Sequence, residues 1–175
     1  MDKTKQKIIH GTALEIFGYG VVIIGNSGSG KSELSLKLID RQHKFIADDN
    51  VLIKQEQDNS LWLHQQRTPG FMHLGGIGFV DLAAIYGKHN IVNNPIKCNL
   101  FIELENSELN HTNRITELST HIDILDQKIP LVKLFIAQNR PLELLVEVLV
   151  KKQQQLDGGY DANQVFVKNL AQNET

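Results

Sequence analysis

The chain has little of what marks a secreted, membrane-bound or nucleic-acid-binding protein. Cys98 is the single cysteine in 175 residues, which excludes an internal disulfide and a cysteine-rich zinc site. Eighteen basic against 20 acidic residues give a net charge of −2, which does not favour nucleic-acid binding. No apolar run approaches the roughly 18 residues of a membrane span, and the charged N-terminus is unlike a signal peptide. We therefore expect a single cytoplasmic domain over residues 1–175, with no nucleic-acid or membrane partner.

Short apolar strands outnumber a few helices, and this pattern predicts an α/β fold with a mixed sheet. The glycine-rich stretch 67–87 predicts a loop with unusual backbone angles, and the stretch 107–120 predicts polar, irregular chain. Helices are predicted over residues 31–41, 141–155 and 162–170. Strands are predicted over residues 21–24, 45–47, 100–104 and 131–136, and residues 8–17 are predicted to form one strand or a pair of strands. Residues 51–53 and 61–63 are predicted to pair as a hairpin around 55–60.

A glycine-rich turn between the strand 21–24 and the helix 31–41 satisfies the phosphate-loop pattern G-x-x-x-x-G-K-[ST]. Glycines allow backbone N–H groups to curl around a phosphate, and the helix N-terminus adds partial positive charge. In this pattern Lys31 reaches the β- and γ-phosphates and the Ser32 hydroxyl holds Mg²⁺. The predicted nucleotide-binding residues are Gly25, Asn26, Ser27, Gly28, Ser29, Gly30, Lys31 and Ser32.

Two adjacent carboxylates, Asp48 and Asp49, follow the predicted strand 45–47. Phosphoryl transfer needs an acidic partner for the metal and often a base for the attacking hydroxyl, so one carboxylate could serve each role. The alternative is that the Asp-Asp-Asn stretch simply forms a turn. The segment 122–126 carries two more aspartates near a strand, in polar surroundings typical of a loop, and is a weaker candidate.

Three further side chains have both an ordinary and a functional interpretation. His10 stands at the head of the first strand, where an exposed histidine is common. Arg140 lies at a predicted junction between loop and helix, and an arginine there can stabilise charge on a transferring phosphoryl group. His73 lies in the glycine-rich stretch and could touch metal or phosphate.

Several segments, in order along the chain, resemble one family. His10-Gly11, the phosphate loop with the following Glu33, and A-D-D-N-V over 47–51 match its opening strand, nucleotide loop and acidic segment. G-I-G-F-V-D-L over 76–82, Asn139-Arg140, and G-Y-D-A over 159–162 match its later signatures. Together they resemble the C-terminal catalytic domain of HPr(Ser) kinase/phosphorylase, in a short form lacking that family's N-terminal domain.

The resemblance implies a fold similar to the nucleotide-binding core of phosphoenolpyruvate carboxykinase. It also implies an ATP- and Mg²⁺-dependent kinase that phosphorylates a serine of HPr, the small phosphocarrier of the sugar phosphotransferase system. The reverse reaction would be phosphorolysis, and the family's members assemble as hexamers.

Residue by residue, the resemblance implies that Asp49 is the base in the kinase direction and the acid in the reverse. It implies that His10, Lys31 and Arg140 are the other active-site residues and that Gly25 to Ser32 bind ATP. Ser32 and Asp48 are the expected metal ligands.

The chain departs from the family's signature at His73, where the family has a metal-binding glutamate, and at Gly75, where it has an arginine. Imidazole is a poor ligand for Mg²⁺. Two alternatives therefore stay open beside the kinase: a nucleotide-binding regulatory module with impaired catalysis, and a P-loop kinase with another acceptor.

Overall fold

The chain folds around a large mixed sheet, as seen in a computed structural model that describes residues 5–106 and 119–172. Its strands are β1 (Gln6–His10), β2 (Thr12–Ile16), β3 (Tyr19–Gly25), β4 (Lys44–Ala47), β5 (Asn50–Gln55), β6 (Leu61–His64), β7 (Phe71–Leu74), β8 (Gly78–Asp81), β9 (Ile96–Glu105), β10 (Ser119–Ile124) and β11 (Gln127–Phe135). The helices are α1 (Lys31–Asp40), α2 (Leu82–Tyr86), α3 (Leu142–Asp157) and α4 (Ala162–Gln172), with a 3₁₀ turn at Lys88–Asn90.

Three parallel strands form the centre of the sheet, because β9 lies between β3 and β11 and runs parallel to both. The strand order is β1-β5-β6-β9-β3-β2-β4, and β11 with its antiparallel partner β10 branches from β9. The pairs made by β1, β2, β4, β5 and β6 are antiparallel. Two further strands, β7 and β8, form a separate hairpin. The central strands therefore end together at one edge of the sheet.

Both faces of the central strands are buried, as expected for near-continuous apolar strands. Val21 and Ile23 of β3 pack in a first core against α1 and α3. Leu38 of α1 and Val146 of α3 are fully buried in it. Val22 points to the opposite face, where it packs in a second core with side chains of β5 and β6. These two cores hold β3 and α1 in place on either side of the glycine-rich turn.

The predicted α/β fold with a mixed sheet is confirmed, and the helices lie close to the predicted positions. The segment 8–17, predicted as one strand or a strand pair, is a pair: β1 and β2 are separated at Gly11. The predicted pairing of the segments 51–53 and 61–63 is confirmed, since β5 and β6 are antiparallel neighbours.

The prediction of a loop over 67–87 is wrong, because this stretch contains β7, β8 and α2. Met72 and Leu74 alternate with exposed neighbours and are buried against the first core, which fixes the hairpin. The glycines mark the ends of these short elements. Positive φ angles occur at Gly70 (82°), Gly76 (76°), Gly78 (96°) and Gly87 (94°).

The irregular chain predicted over 107–120 lies largely outside the described residues, which resume at Ser119 in β10. Among the described residues, none of the helices is long and apolar enough to cross a membrane.

Candidate active site

The phosphate loop lies at the edge where the parallel strands end. Gly25 closes β3 beside Leu104 of β9, and the chain turns through five residues into α1. Gly28 and Gly30 adopt positive φ angles of 75° and 83°, which a side chain would oppose. The strand, the glycine-rich turn and the helix N-terminus thus form the anion-binding arrangement that the sequence predicted.

A cavity of about 240 Å³ opens over this loop and brings together residues from four parts of the chain. Three of the predicted catalytic residues, His10, Lys31 and Asp49, line it together with Ser32. His73 of β7 also lines it. We call it the phosphate pocket; its lining consists of His10, Ser27, Gly28, Gly30, Lys31, Ser32, Glu33, Asp49, His73 and Gly75.

The Lys31 ammonium is held within the loop. Its Nζ donates hydrogen bonds of 3.0 Å to the carbonyl oxygens of Gly25 and Asn26. An ammonium has three donors, so one remains for a phosphate oxygen. Lys31 therefore presents a positive charge at the pocket wall, next to the backbone N–H groups of the first helical turn.

Asp49 is an exposed carboxylate on a constrained backbone. Its φ angle is 62°, in a region that non-glycine residues rarely adopt. Its carbonyl oxygen lies 3.1 Å from His10 Nδ1 and accepts from the Gly11 N–H at 3.4 Å. Because a carbonyl only accepts, His10 Nδ1 carries the proton in this contact. His10 thereby holds the main chain of Asp49 where its carboxylate lines the phosphate pocket.

Asp48 precedes Asp49 in the same turn but is buried, so the two carboxylates differ in environment. Thr12 Oγ1 donates a 2.6 Å hydrogen bond to Asp48 Oδ1, whereas Oδ2 is buried and has no hydrogen bond among the described residues. Burial raises the pKa of Asp48, and the hydrogen bond from Thr12 opposes this shift. Asp48 does not line the phosphate pocket. Its assignment as a metal ligand stays a prediction.

Gln66 connects the Asp48 backbone to the base of the hairpin, a role that no sequence pattern indicates. Its Oε1 accepts from the Asp48 backbone N–H at 2.9 Å. Its Nε2 donates to the carbonyl oxygens of Thr68 and Phe71 at 2.8 and 2.6 Å. One amide group thus joins the turn after β4 to the start of β7, which carries His73. Gln66 and Thr12 were missed because both contacts are long-range in sequence.

Arg140 lies at the same edge of the sheet but outside the phosphate pocket. Its Nη1 donates to the carbonyl oxygen of Phe135, the last residue of β11, at 2.8 Å. Because β11 is two strands from β3, this carbonyl is about 10 Å from the start of the phosphate loop. The catalytic role of Arg140 stays a prediction.

The weaker acidic candidate, 122–126, lies elsewhere. Ile124 is buried in β10, so the expected loop-like surroundings are wrong for its first half. Asp126 follows in a turn and forms a 2.8 Å ion pair with Lys5. Neither Asp123 nor Asp126 lines the phosphate pocket.

The residues of the phosphate pocket fit a magnesium ion that is bound mainly through phosphate. Among the described residues, no group of three or more histidine, cysteine, aspartate or glutamate side chains is arranged to hold a metal. Mg²⁺ in phosphoryl-transfer sites is commonly held by one or two protein oxygens, with phosphates and water as the other ligands. Ser32 Oγ supplies one such oxygen in the phosphate pocket, whereas Asp48, the other expected ligand, does not line it.

These features define an α/β domain with a phosphate-binding loop and an acidic residue facing it. The chain matches the HPr serine kinase C-terminal domain family over residues 2–170 and belongs to that family.

Relatives and a solved structure support this membership. The chain is 31% identical over 164 residues to the HPr kinase/phosphorylase of Streptococcus gordonii, covering 93% of this chain and 52% of that protein. It is 34% identical over 170 residues to that of Thermoanaerobacter sp. (strain X514), covering 94% and 54%. The chain thus spans about half the length of the curated relatives it matches. The structure of the Hpr(Ser) kinase/phosphatase from Coxiella burnetii is 33% identical with a TM-score of 0.80, covering 91% of this chain and 98% of that one.

Proposed function

We propose that this chain is an ATP- and Mg²⁺-dependent kinase that transfers a phosphoryl group to a serine of HPr or an HPr-like phosphocarrier protein. The observation that carries the proposal is the position of Asp49, whose exposed carboxylate shares one pocket with Lys31 and Ser32. A carboxylate beside the nucleotide phosphates can accept the proton of an attacking serine hydroxyl. Relatives named HPr kinase/phosphorylase support the choice of HPr as the acceptor.

The roles of the residues follow from their positions. Backbone N–H groups of the loop and Lys31 would bind and orient the phosphates. Ser32 would hold Mg²⁺ together with the phosphates and with Asp48, the second ligand that the resemblance implies, and bound Mg²⁺ would neutralise phosphate charge. Asp49 would accept the serine proton in the forward direction and return it in phosphorolysis. His10 would position Asp49 through the hydrogen bond to its carbonyl oxygen.

Two further properties belong to the same proposal. We propose assembly into hexamers, and the exposed apolar residues of α4 support an interface between copies. Phe166 and Leu170, one turn apart, are 64% and 51% exposed. We also propose a cytoplasmic location. The single cysteine is a buried thiol, which fits a reducing compartment.

The function is tested by incubating the protein with ATP, Mg²⁺ and HPr from the same organism and measuring the intact mass of HPr. We expect a gain of one phosphate that is lost when the acceptor serine is changed to alanine. Asp49→Asn should lower the transfer rate about 100-fold or more, the lower bound for a general base, and retain ATP binding. Asp126→Asn is the matched control, because Asp126 is an exposed carboxylate outside the phosphate pocket.

The other outcomes separate the alternatives. ATP binding without transfer to any protein would favour a regulatory module with impaired catalysis. Transfer to a protein other than HPr would favour a kinase with a different acceptor. An unchanged transfer rate in Asp49→Asn would refute the assignment of Asp49 as the base.

A further inference from the structure

A second, larger cavity adjoins the phosphate pocket and has no role in the function described so far. Its volume is about 620 Å³. Its floor is the outer face of β1 and β5, where Ile8 lies beside Leu52 and Gln6 beside Lys54. Its wall is the exposed face of the β7–β8 hairpin. We call this space the side cavity.

The hairpin presents aromatic rings to the side cavity because of its strand alternation. Met72 and Leu74 are buried on the core side, so Phe71 and His73 point to the other side. Phe79 of β8 is the register partner of His73, and the two rings meet edge to face with centroids 5.1 Å apart. The wall is thus a small aromatic surface rather than a polar loop.

Three large apolar side chains lining this cavity remain in contact with water. Phe79 is 79% exposed, Ile8 63% and Phe71 43%. A grouped set of exposed apolar side chains beside a pocket commonly marks a binding surface. The side cavity therefore has the composition of a surface that binds apolar groups of a partner.

The side cavity lies directly beside the phosphate pocket, since Asp49 and His73 line both. In phosphoryl transfer the attacking oxygen and the leaving oxygen lie roughly in line, on opposite sides of the transferred group. The nucleotide phosphates occupy the side of the loop. An acceptor hydroxyl must then reach Asp49 from the other side, where the side cavity opens.

We propose that the side cavity binds the acceptor protein segment that carries the serine, with apolar side chains next to that serine packing on Phe79, Phe71 and Ile8. This inference rests on the proposed kinase function. The floor follows five residues of β5, from Asn50 to Lys54, over about 13 Å, and an extended peptide segment of about five residues would cover the same length.

Charge at the far end of the floor supports a peptide as the occupant. Lys54 lines the side cavity and forms no ion pair among the described residues. It offers a complementary position for a main-chain carbonyl or an acidic side chain of the bound segment. The acceptor is thus recognised through apolar contacts near the serine and an oxygen-bearing group about four residues away.

The test is steady-state kinetics of transfer to HPr with the variants Phe79→Ser and Ile8→Ser. We expect each to raise the KM for HPr at least tenfold and to change the KM for ATP less than twofold. Ile85→Ser is the matched control, because Ile85 is 61% exposed on α2 and does not line the side cavity. Lys54→Glu should raise the KM for HPr at low salt, with a smaller effect at high salt, because salt screens exposed charges.

The outcomes separate this inference from the proposed function. Transfer by the wild-type protein with unchanged HPr KM in Phe79→Ser and Ile8→Ser would overturn the side cavity as the acceptor site and leave the kinase function standing. A raised KM for ATP with an unchanged KM for HPr would assign the cavity to the nucleotide base and overturn the inference. No transfer by the wild-type protein would overturn both. Circular dichroism and thermal melting of each variant exclude misfolding as the cause.

Discussion

Glu147 of α3 connects the two elements that carry the active-site residues. Its carboxylate accepts hydrogen bonds from Arg41 Nε at 2.8 Å and Nη2 at 2.6 Å, immediately after α1. His43 Nε2, just before β4, lies 2.9 Å from the same carboxylate. The helix α1 begins with Lys31, and β4 leads to Asp49. The substitution Glu147→Gln therefore tests the hydrogen bonds that hold the end of α1 and the start of β4 against α3.

The expected loss of stability follows from the burial of this cluster. Glu147 is 8% exposed and His43 is 5% exposed, whereas the Arg41 side chain is 45% exposed. Removing one member of a fully buried ion pair costs about 3–5 kcal/mol. Because Arg41 can turn to water, we expect Glu147→Gln to lower the free energy of unfolding by about 2–3 kcal/mol. For a chain of this size the loss corresponds to a Tm lower by about 5–10 °C.

The same contact predicts the pH dependence of the loss. The hydrogen bond from Arg41 lowers the pKa of Glu147 from 4.5 to about 2, against the opposing effect of burial. Because the folded-state pKa lies below the unfolded value, the stabilisation is complete above about pH 4.5 and disappears as the pH falls toward 2. The difference in stability between wild type and Glu147→Gln should shrink over that range.

Urea unfolding at pH 7, 5, 4 and 3 measures this difference. Glu143→Gln is the control on the same helix, since its 3.5 Å ion pair is with Lys37, whose side chain is 62% exposed. We expect it to cost about 0.5 kcal/mol or less. Equal stability of Glu147→Gln and wild type at pH 7, or a difference that stays constant from pH 7 to 3, would refute the reasoning.

Two further predictions concern the site and the sheet. Gln66→Leu should lower the kcat of transfer about 10–100-fold, because it removes the amide that holds the Asp48 backbone next to Asp49. Gln57→Leu is its control, since Gln57 is exposed and lines neither cavity; equal kcat values in the two variants would contradict this. Gly20→Ala should lower the free energy of unfolding by about 1–3 kcal/mol in urea titrations, because a Cβ there collides with a carbonyl oxygen of β9. Gly75→Ala is its control, with nothing within 4 Å of an added Cβ, and equal losses would contradict the collision.

The phosphate loop could be predicted from sequence because its geometry is local. A strand, a run of glycines and a helix start follow one another within a few residues, and each has its own sequence signal. The β7–β8 hairpin within 67–87 was not predicted, because its local sequence signals favour a loop. Its glycines resemble those of a loop, while the strand signal rests on two buried positions, Met72 and Leu74. Four-residue strands carry too little alternation to outweigh that glycine content.

The surroundings of Asp48 and Asp49 could not be predicted, because they arise from pairings across the sheet. Thr12, which is 36 residues from Asp48 in sequence, donates a hydrogen bond to its carboxylate. Gln66, which is 18 residues away, accepts a hydrogen bond from its backbone N–H. The residue pattern by itself offered no way to choose which aspartate lines the phosphate pocket, and only the family resemblance distinguished Asp49 from Asp48. The structure separates them by burial, since Asp48 is 7% exposed and Asp49 is exposed.

The strain at Asp49 supports its proposed role as the base more directly than its position alone. A non-glycine residue at a φ of 62° costs about 1–3 kcal/mol and persists only where neighbouring contacts enforce it. Here those contacts come from separate elements: His10 and Gly11 bind its carbonyl oxygen, and Gln66 binds the backbone N–H of the preceding residue. None of them uses the carboxylate itself, which stays available to substrate. The fold thus fixes the main chain of Asp49 before any substrate binds, and this is the preorganisation that a positioned base requires.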